Sequence, residues 1–265
     1  MKLEILHSCM HQKDESIIHR SAITGNVLVI NQCDREEETA LRTERGVARI
    51  VSTTQRGLTR SRNMAISKSN ADICLLCDDD EIFVQNYEEK ILAAYEENPQ
   101  SDVIIFKIAN QTPSFPDRVM ELKFPRTMKV SSYQISFRRE SLLRTGVRFD
   151  ELLGAGTGNG AEEELKFLTD CRRAGLRIFY VPVEIAELIP SESTWFHGFT
   201  EEFFANRGAT TRYILGYPLA VMYGIYYVVR KRRLYAGEIT PGKALGAIFR
   251  GIHENKIGKQ ARIRK

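Results

Sequence analysis

Two clusters of acidic residues are the part of this 265-residue chain best suited to chemistry. Asp78-Asp79-Asp80 follows directly on the apolar run Ile73-Cys74-Leu75-Leu76-Cys77, and Glu162-Glu163-Glu164 follows a glycine-rich segment, Gly154 to Gly160. A hydrophobic strand that stops at carboxylates sets them at the C-terminal edge of a sheet, where open α/β sheets bind ligands. Three adjacent like charges repel, so a fold must compensate them. A divalent cation shared between carboxylates and substrate phosphates is an economical compensator. A solvated acidic turn accounts for one or two of the three aspartates, not for all. Arg56, Arg60 and Arg62 lie just upstream, and guanidinium groups pair bidentately with phosphate oxygens. Arginines together with a carboxylate-held cation make a diphosphate site. At the second cluster, Glu163 or Glu164 could act as general base toward a substrate hydroxyl. The competing reading makes one of them only a first-turn acid favoured by the helix dipole.

The elements that must position these groups read as alternating strands and helices. Leu3 to Cys9 is a first strand, and Asp14 caps a helix to about Thr24. Val27 to Ile30 is a β-branched run of the kind found in central parallel strands, ending in polar Asn31-Gln32-Cys33-Asp34. A short charged helix is expected over Arg35–Arg45 and a third strand over Val47–Ser52. A glycine turn leads into a helix over Thr59–Ser69 and then the strand that ends at the aspartates. Asn86 caps a helix to Asn98, and Val103–Ile108 is a fifth strand. Tyr133–Arg138 reads as a strand, as does Arg177–Val181, stopped by Pro182; between them a helix ends near Ala174 with Gly175 as its cap. Such alternation is the pattern of a doubly wound α/β sheet.

Composition bounds the rest. Hydrophobic content of 43% and charged content of 27% describe an ordinary globular chain. The cysteines are odd in number, at 9, 33, 74, 77 and 171, which reads as reduced thiols in a reducing compartment. Cys74 and Cys77 lie three apart on a strand, point to opposite faces, and so cannot chelate one ion. The N-terminal apolar run is too short for a secretory signal. A cytoplasmic location is expected, with the cytoplasmic membrane face as a variant of it.

The order of strand, helix, Arg56-Gly57-Leu58-Thr59-Arg60-Ser61-Arg62-Asn63, strand, triple aspartate and then Glu163-Glu164-Leu165-Lys166-Phe167 resembles family 2 glycosyltransferases of the GT-A fold. The resemblance covers about residues 1–200. It implies a mixed, mostly parallel α/β sheet with a Rossmann-like nucleotide-binding half; residues 201–265, outside it, read as a basic, partly apolar helical tail. It implies inverting transfer of a sugar from a nucleotide-diphosphate donor, a UDP-sugar by preference, to an acceptor hydroxyl. It places Ser8, Asn31, Gln32, Asp34, Arg56, Arg62, Asn63, Asp78 and Asp79 at the nucleotide sugar. Asp78, Asp80 and His197 become ligands of Mn²⁺ or Mg²⁺, and Glu164, in the place of the family's second acid, the base, with Glu163 as the other candidate. One departure stands out: where the family's second strand commonly ends in an aspartate pair, this chain has Asn31-Gln32, with Asp34 two residues on. Amides can bond a pyrimidine edge as donor and as acceptor.

Residues 201–265 hold 13 Lys and Arg against 4 Asp and Glu, a surplus of nine cations, while residues 1–200 carry five more acids than bases. Tyr213 to Val229 is an uncharged run of 17 residues ending at Arg230-Lys231-Arg232-Arg233, shorter than the ~20 residues of a spanning helix. It reads either as an interfacial helix with its basic flank on anionic headgroups or as an amphipathic helix packed on the catalytic domain. Membrane contact would suit a lipid-linked acceptor in cell-surface polysaccharide or glycolipid assembly; a saccharide is the other acceptor class, and nucleic acid is not expected. Two other readings compete: a sugar-phosphate nucleotidyltransferase, and a non-catalytic membrane or nucleic-acid adaptor using the basic tail. The first usually carries a Gly-rich basic loop after strand one, where this chain has His7-Ser8-Cys9-Met10-His11.

Overall fold

The computed structural model describes residues 1–159, 162–189 and 198–263. In chain order its elements begin with β1 (Leu3–Met10), α1 (Ser16–Arg20), β2 (Val27–Gln32), β3 (Glu37–Arg42) and β4 (Val47–Thr53). There follow α2 (Leu58–Lys68), β5 (Ile73–Cys77), β6 (Glu81–Phe83), α3 (Tyr87–Glu97), β7 (Val103–Ile108) and β8 (Met120–Glu121). The chain continues through β9 (Ile135–Arg138), α4 (Arg139–Thr145), α5 (Glu163–Arg173) and β10 (Ile178–Leu188). Helices α6 (Glu201–Leu215), α7 (Tyr217–Arg230), α8 (Pro241–Glu254) and α9 (Lys256–Ile263) complete it. The described residues of 1–149 and 164–191 form one compact unit, those of 150–163 and 192–265 another.

The first unit is a single sheet of order β3-β4-β2-β1-β5-β9-β7-β10-β6, with β8 on β10. Strands β4, β2, β1 and β5 run parallel in register, Ile5 beside Val27 and Leu75. Central strands covered on both faces need apolar side chains on both, and β2 and β5 are buried along their whole length. Cys74 and Cys77 fall in the cores on opposite faces of the sheet, which is the period-two geometry expected of them. β9 enters antiparallel between β5 and β7, making the sheet mixed. The second unit has its own core of Phe204, Tyr227, Val228, Tyr235, Ala247 and Ile248 among others. There α6 and α8 approach closely: a Cβ on Gly251 would lie 1.9 Å from the Ala205 carbonyl, so only glycine fits that position.

Several expectations are corrected. The charged helix over Arg35–Arg45 is the antiparallel strand β3, largely exposed and paired residue for residue with β4. A ladder partner outweighs local helix propensity there, and charged side chains suit an outer strand. The helix from Asp14 stops at Arg20, although the Asp14 carboxylate does accept from the Ser16 N–H at 3.0 Å. Pro182 does not end β10, which runs on to Leu188 past register shifts at Val181–Glu184 and Glu184–Ala186. A bulge tolerates the missing N–H. The run Tyr213–Val229 is not one helix: Gly216 (φ 82°) breaks it, and Pro218 sits in the first turn of α7.

Candidate active site

The parallel strands bring their C-terminal ends to one edge, and the predicted polar residues collect there. Most of them hold the edge together. The Asn31 amide is spent on the Gln12 backbone, accepting from its N–H at 3.0 Å and donating to its carbonyl at 2.9 Å. Gln32 Oε1 accepts from the Gly57 N–H at 2.7 Å, fixing the turn (Gly57 φ 117°) that opens α2. Arg56 donates to the carbonyls of Cys33 (3.0 Å) and Thr53 (3.1 Å) and pairs with the exposed Asp34. Ser8 accepts from Ser61 at 2.9 Å, both buried. Asn63 clamps Phe149, donating to its carbonyl and accepting from its N–H, each at 2.9 Å. His197 lies outside the described residues.

The aspartates occupy the tight turn between β5 and β6. Asp79 is exposed; Asp78 and Asp80 are half-buried. The Asp78 N–H donates to Glu81 Oε1 at 2.8 Å, and among the described residues the other Glu81 oxygen has no hydrogen-bond partner. Burial, with the Asp78 charge adding to it, pushes the Glu81 carboxyl well above its ordinary range. Burial likewise lowers His7, on β1 beside Cys77, to about 4, so this imidazole is neutral. Burial alone would raise Asp78 too, but the Arg62 charge and the Ser132 hydroxyl outweigh it and hold its pKa below the usual value.

Arg62 is the centre of the arrangement. Its side chain is 2% exposed, and its Nη2 donates to both Asp78 oxygens at 2.9 and 3.2 Å. Its Nη1 lies 3.6 Å from a Glu164 oxygen, and its guanidinium sits 5.4 Å from the Phe149 ring centroid. Phe149 stacks on Phe167 at 4.2 Å, which seats α5 and the carboxylate at its start. One buried cation therefore joins the two acidic clusters that lie far apart in sequence. Ser132 donates to Asp78 at 2.6 Å from the other side. Ser132, Glu81 and His7 had no signal in the sequence, being ordinary residues until the turn before β9, strand β6 and strand β1 set them beside the aspartates.

The second acidic cluster divides its work. Glu162 (φ 82°) is ion-paired with Arg207 at 2.7 Å, within the second unit. Glu163 is buried as the first residue of α5, and Glu164 faces Arg62. The helix dipole thus has to account for only one of the three. Among the described residues no group of three or more His, Cys, Asp and Glu is arranged to hold a metal. The donor set still suits a hard cation that takes one or two carboxylates and completes its shell with substrate phosphate oxygens, with Asp80 and Asp78 as the protein's contribution.

Glu81→Gln keeps the oxygen that accepts from Asp78 but cannot ionise. In the native chain the stability due to protonated Glu81 is complete below the ordinary value of 4.5 and falls as pH rises toward its raised folded value. The variant is expected to lose that decline. Urea midpoints of both proteins at about pH 5 and about pH 8 check this; an unchanged difference between them would mean Glu81 ionises like a surface carboxylate.

Comparison with known proteins gives this site its class. Residues 4–150 match the glycosyl transferase family 2 model, more than half of the chain. The protein belongs to that family and is a glycosyltransferase. Among solved structures, S. aureus TarS 1–349 superposes with a TM-score of 0.61 at 14% identity, over 97% of this chain and 82% of that one. The same fragment in complex with UDP gives 0.60, and with UDP-GlcNAc 0.59, the latter over 72% of that chain. At this identity the likeness establishes the GT-A type of fold, as the resemblance to family 2 implied. No curated protein matches. Family membership sets aside the nucleotidyltransferase and adaptor readings.

Proposed function

We propose that the protein is an inverting transferase that moves a sugar from a UDP-sugar to an acceptor hydroxyl. The observation that carries this reading is Arg62, which sets Asp78 and Glu164 around one buried charge in a family 2 domain. The UDP and UDP-GlcNAc complexes of TarS support the choice of donor. Glu164 takes the proton of the acceptor hydroxyl while its oxygen forms the new bond to the anomeric carbon. The bond from that carbon to the diphosphate breaks on the opposite face, through an oxocarbenium-like transition state. Mn²⁺ or Mg²⁺ bound through Asp80, and through Asp78 directly or by water, would supply charge neutralisation for the leaving diphosphate. Arg62 keeps the two acidic groups in fixed relation, and fixed geometry is the larger part of what such a site contributes. Asp34 and Arg56 frame the nucleotide end, and Asn31 and Gln32 shape it through the backbone groups they hold. The acceptor is a saccharide or a lipid-linked saccharide at the cytoplasmic membrane face.

The test is a panel of nucleotide sugars with and without Mn²⁺ or Mg²⁺, read by thermal midpoint and by release of nucleotide diphosphate. A UDP-sugar is expected to raise the midpoint; at 100 times its Kd the stabilisation is about 2.7 kcal/mol. Silence across the whole panel, with either metal, would refute the reading.

A further inference from the structure

Helix α7 is apolar on two opposite sides. Ala220, Gly224, Tyr227 and Val228 are buried on one side, against a core that includes Phe204, Tyr235 and Ile248. Leu219, Met222, Ile225, Tyr226 and Val229 are exposed, Met222 at 65% and Val229 at 71%. With 3.6 residues per turn these five occupy a single arc of roughly 120° facing away from the buried four. No charged residue interrupts α7 before Arg230. A helix hydrophobic all round is normally enclosed, by a larger core or by lipid; this one is enclosed on one side only. The buried face fits the packed reading of the run from the sequence, and the exposed apolar face is the one the interfacial reading would use.

The helix then ends in four cations. Arg230, Lys231, Arg232 and Arg233 are all exposed, none has an ion-pair partner among the described residues, and Leu234 beside them is 57% exposed. We infer that the outer face of α7 docks on an anionic lipid bilayer, lying in the plane of the interface with Arg230–Arg233 on the headgroups. The length excludes a span, since no described helix is long and apolar enough to cross a membrane. Charge complementarity selects the bilayer over a second copy of the chain. Residues 201–265 carry nine more cations than anions, so pairing this surface with itself brings together like charge. An anionic leaflet supplies the charge the protein lacks, and buried apolar side chains add to electrostatic attraction in such helices. The exposed Tyr217 and Tyr226 have the amphipathic rings that favour that depth. The inference stands on α7 and its flank alone and does not depend on which sugar is transferred.

The experiment is flotation of the full chain with vesicles of phosphatidylglycerol and phosphatidylcholine, with pure phosphatidylcholine vesicles as the comparison. Binding to the anionic vesicles is expected, weakened by salt. Arg232→Gln with Arg233→Gln should reduce partitioning by about 25-fold, taking about fivefold for each charge. Met222→Asp with Val229→Asp should abolish it. These positions face solvent, so an unchanged thermal midpoint and unchanged nucleotide binding in solution confirm that the variants are folded. The inference is overturned if the native chain stays with the protein-only fraction, if Met222→Asp with Val229→Asp floats as well as the native chain, or if light scattering shows a dimer that this pair dissociates while no vesicle binding is seen. Because flotation reads no chemistry, failure here leaves the transferase assignment standing, and a silent nucleotide panel leaves docking standing.

Discussion

Glu164→Gln is expected to lower sugar transfer by about 10²–10⁴-fold, the usual contribution of a positioned base, while leaving donor affinity within a few-fold. Glutamine preserves shape and can still lie beside Arg62, so the loss falls on kcat and not on binding. Glu163→Gln is the control: that side chain is buried at the start of α5, and its loss should affect stability more than turnover. The measurement is initial rate and donor Kd for both variants. If Glu163→Gln loses turnover and Glu164→Gln does not, the base has been misassigned within the pair.

Arg62→Met should be strongly destabilising and should also abolish the link between the two acidic groups. Removing one member of a buried ion pair strands the other, at about 3–5 kcal/mol; here Asp78 and Glu164 are both left behind in the protein, with the side chains 25% and 19% exposed. The cost is expected near the low end, about 3 kcal/mol, because water reaches both carboxylates in part. The pH dependence has a definite sign. Asp78 has a lowered pKa, so its contribution is present above the ordinary aspartate range and is lost as pH falls through the folded value. In Arg62→Met that acid-side loss should shrink. Adding Asp78→Asn removes one stranded charge and should recover part of the stability without recovering transfer, because the link to Glu164 stays broken. Urea unfolding of the native, single and double variants decides it; equal stability of Arg62→Met and the native protein would show that the pair contributes little.

What the sequence by itself determined is the local hydrophobic pattern and its punctuation. Runs such as Val27–Ile30 and Ile73–Cys77 are too apolar to lie anywhere but in the middle of a sheet. A strand that stops at three aspartates has its polar end at an edge, whichever residues compensate the charge. The helix before it, the helix after Asn86 and the glutamates at a helix start follow from spacing, while the likeness to family 2 glycosyltransferases rests on the motifs at Arg56–Asn63, Asp78–Asp80 and Glu163–Phe167. Tertiary structure decided whatever depends on partners distant along the chain. Residues 37–42 became a strand because β4 offered a ladder, and Pro182 was passed because a bulge absorbed it. Asn31 and Asn63, polar at the right place, turned out to be tied to backbone groups 19 and 86 residues away. The compensation for Asp78 is likewise not local: it comes from Arg62, 16 residues before it, and from Ser132, 54 residues on. Short-range pattern is set by each residue's own preference for water or core, whereas electrostatic pairing in a buried site depends on distances that exist only once the sheet has closed.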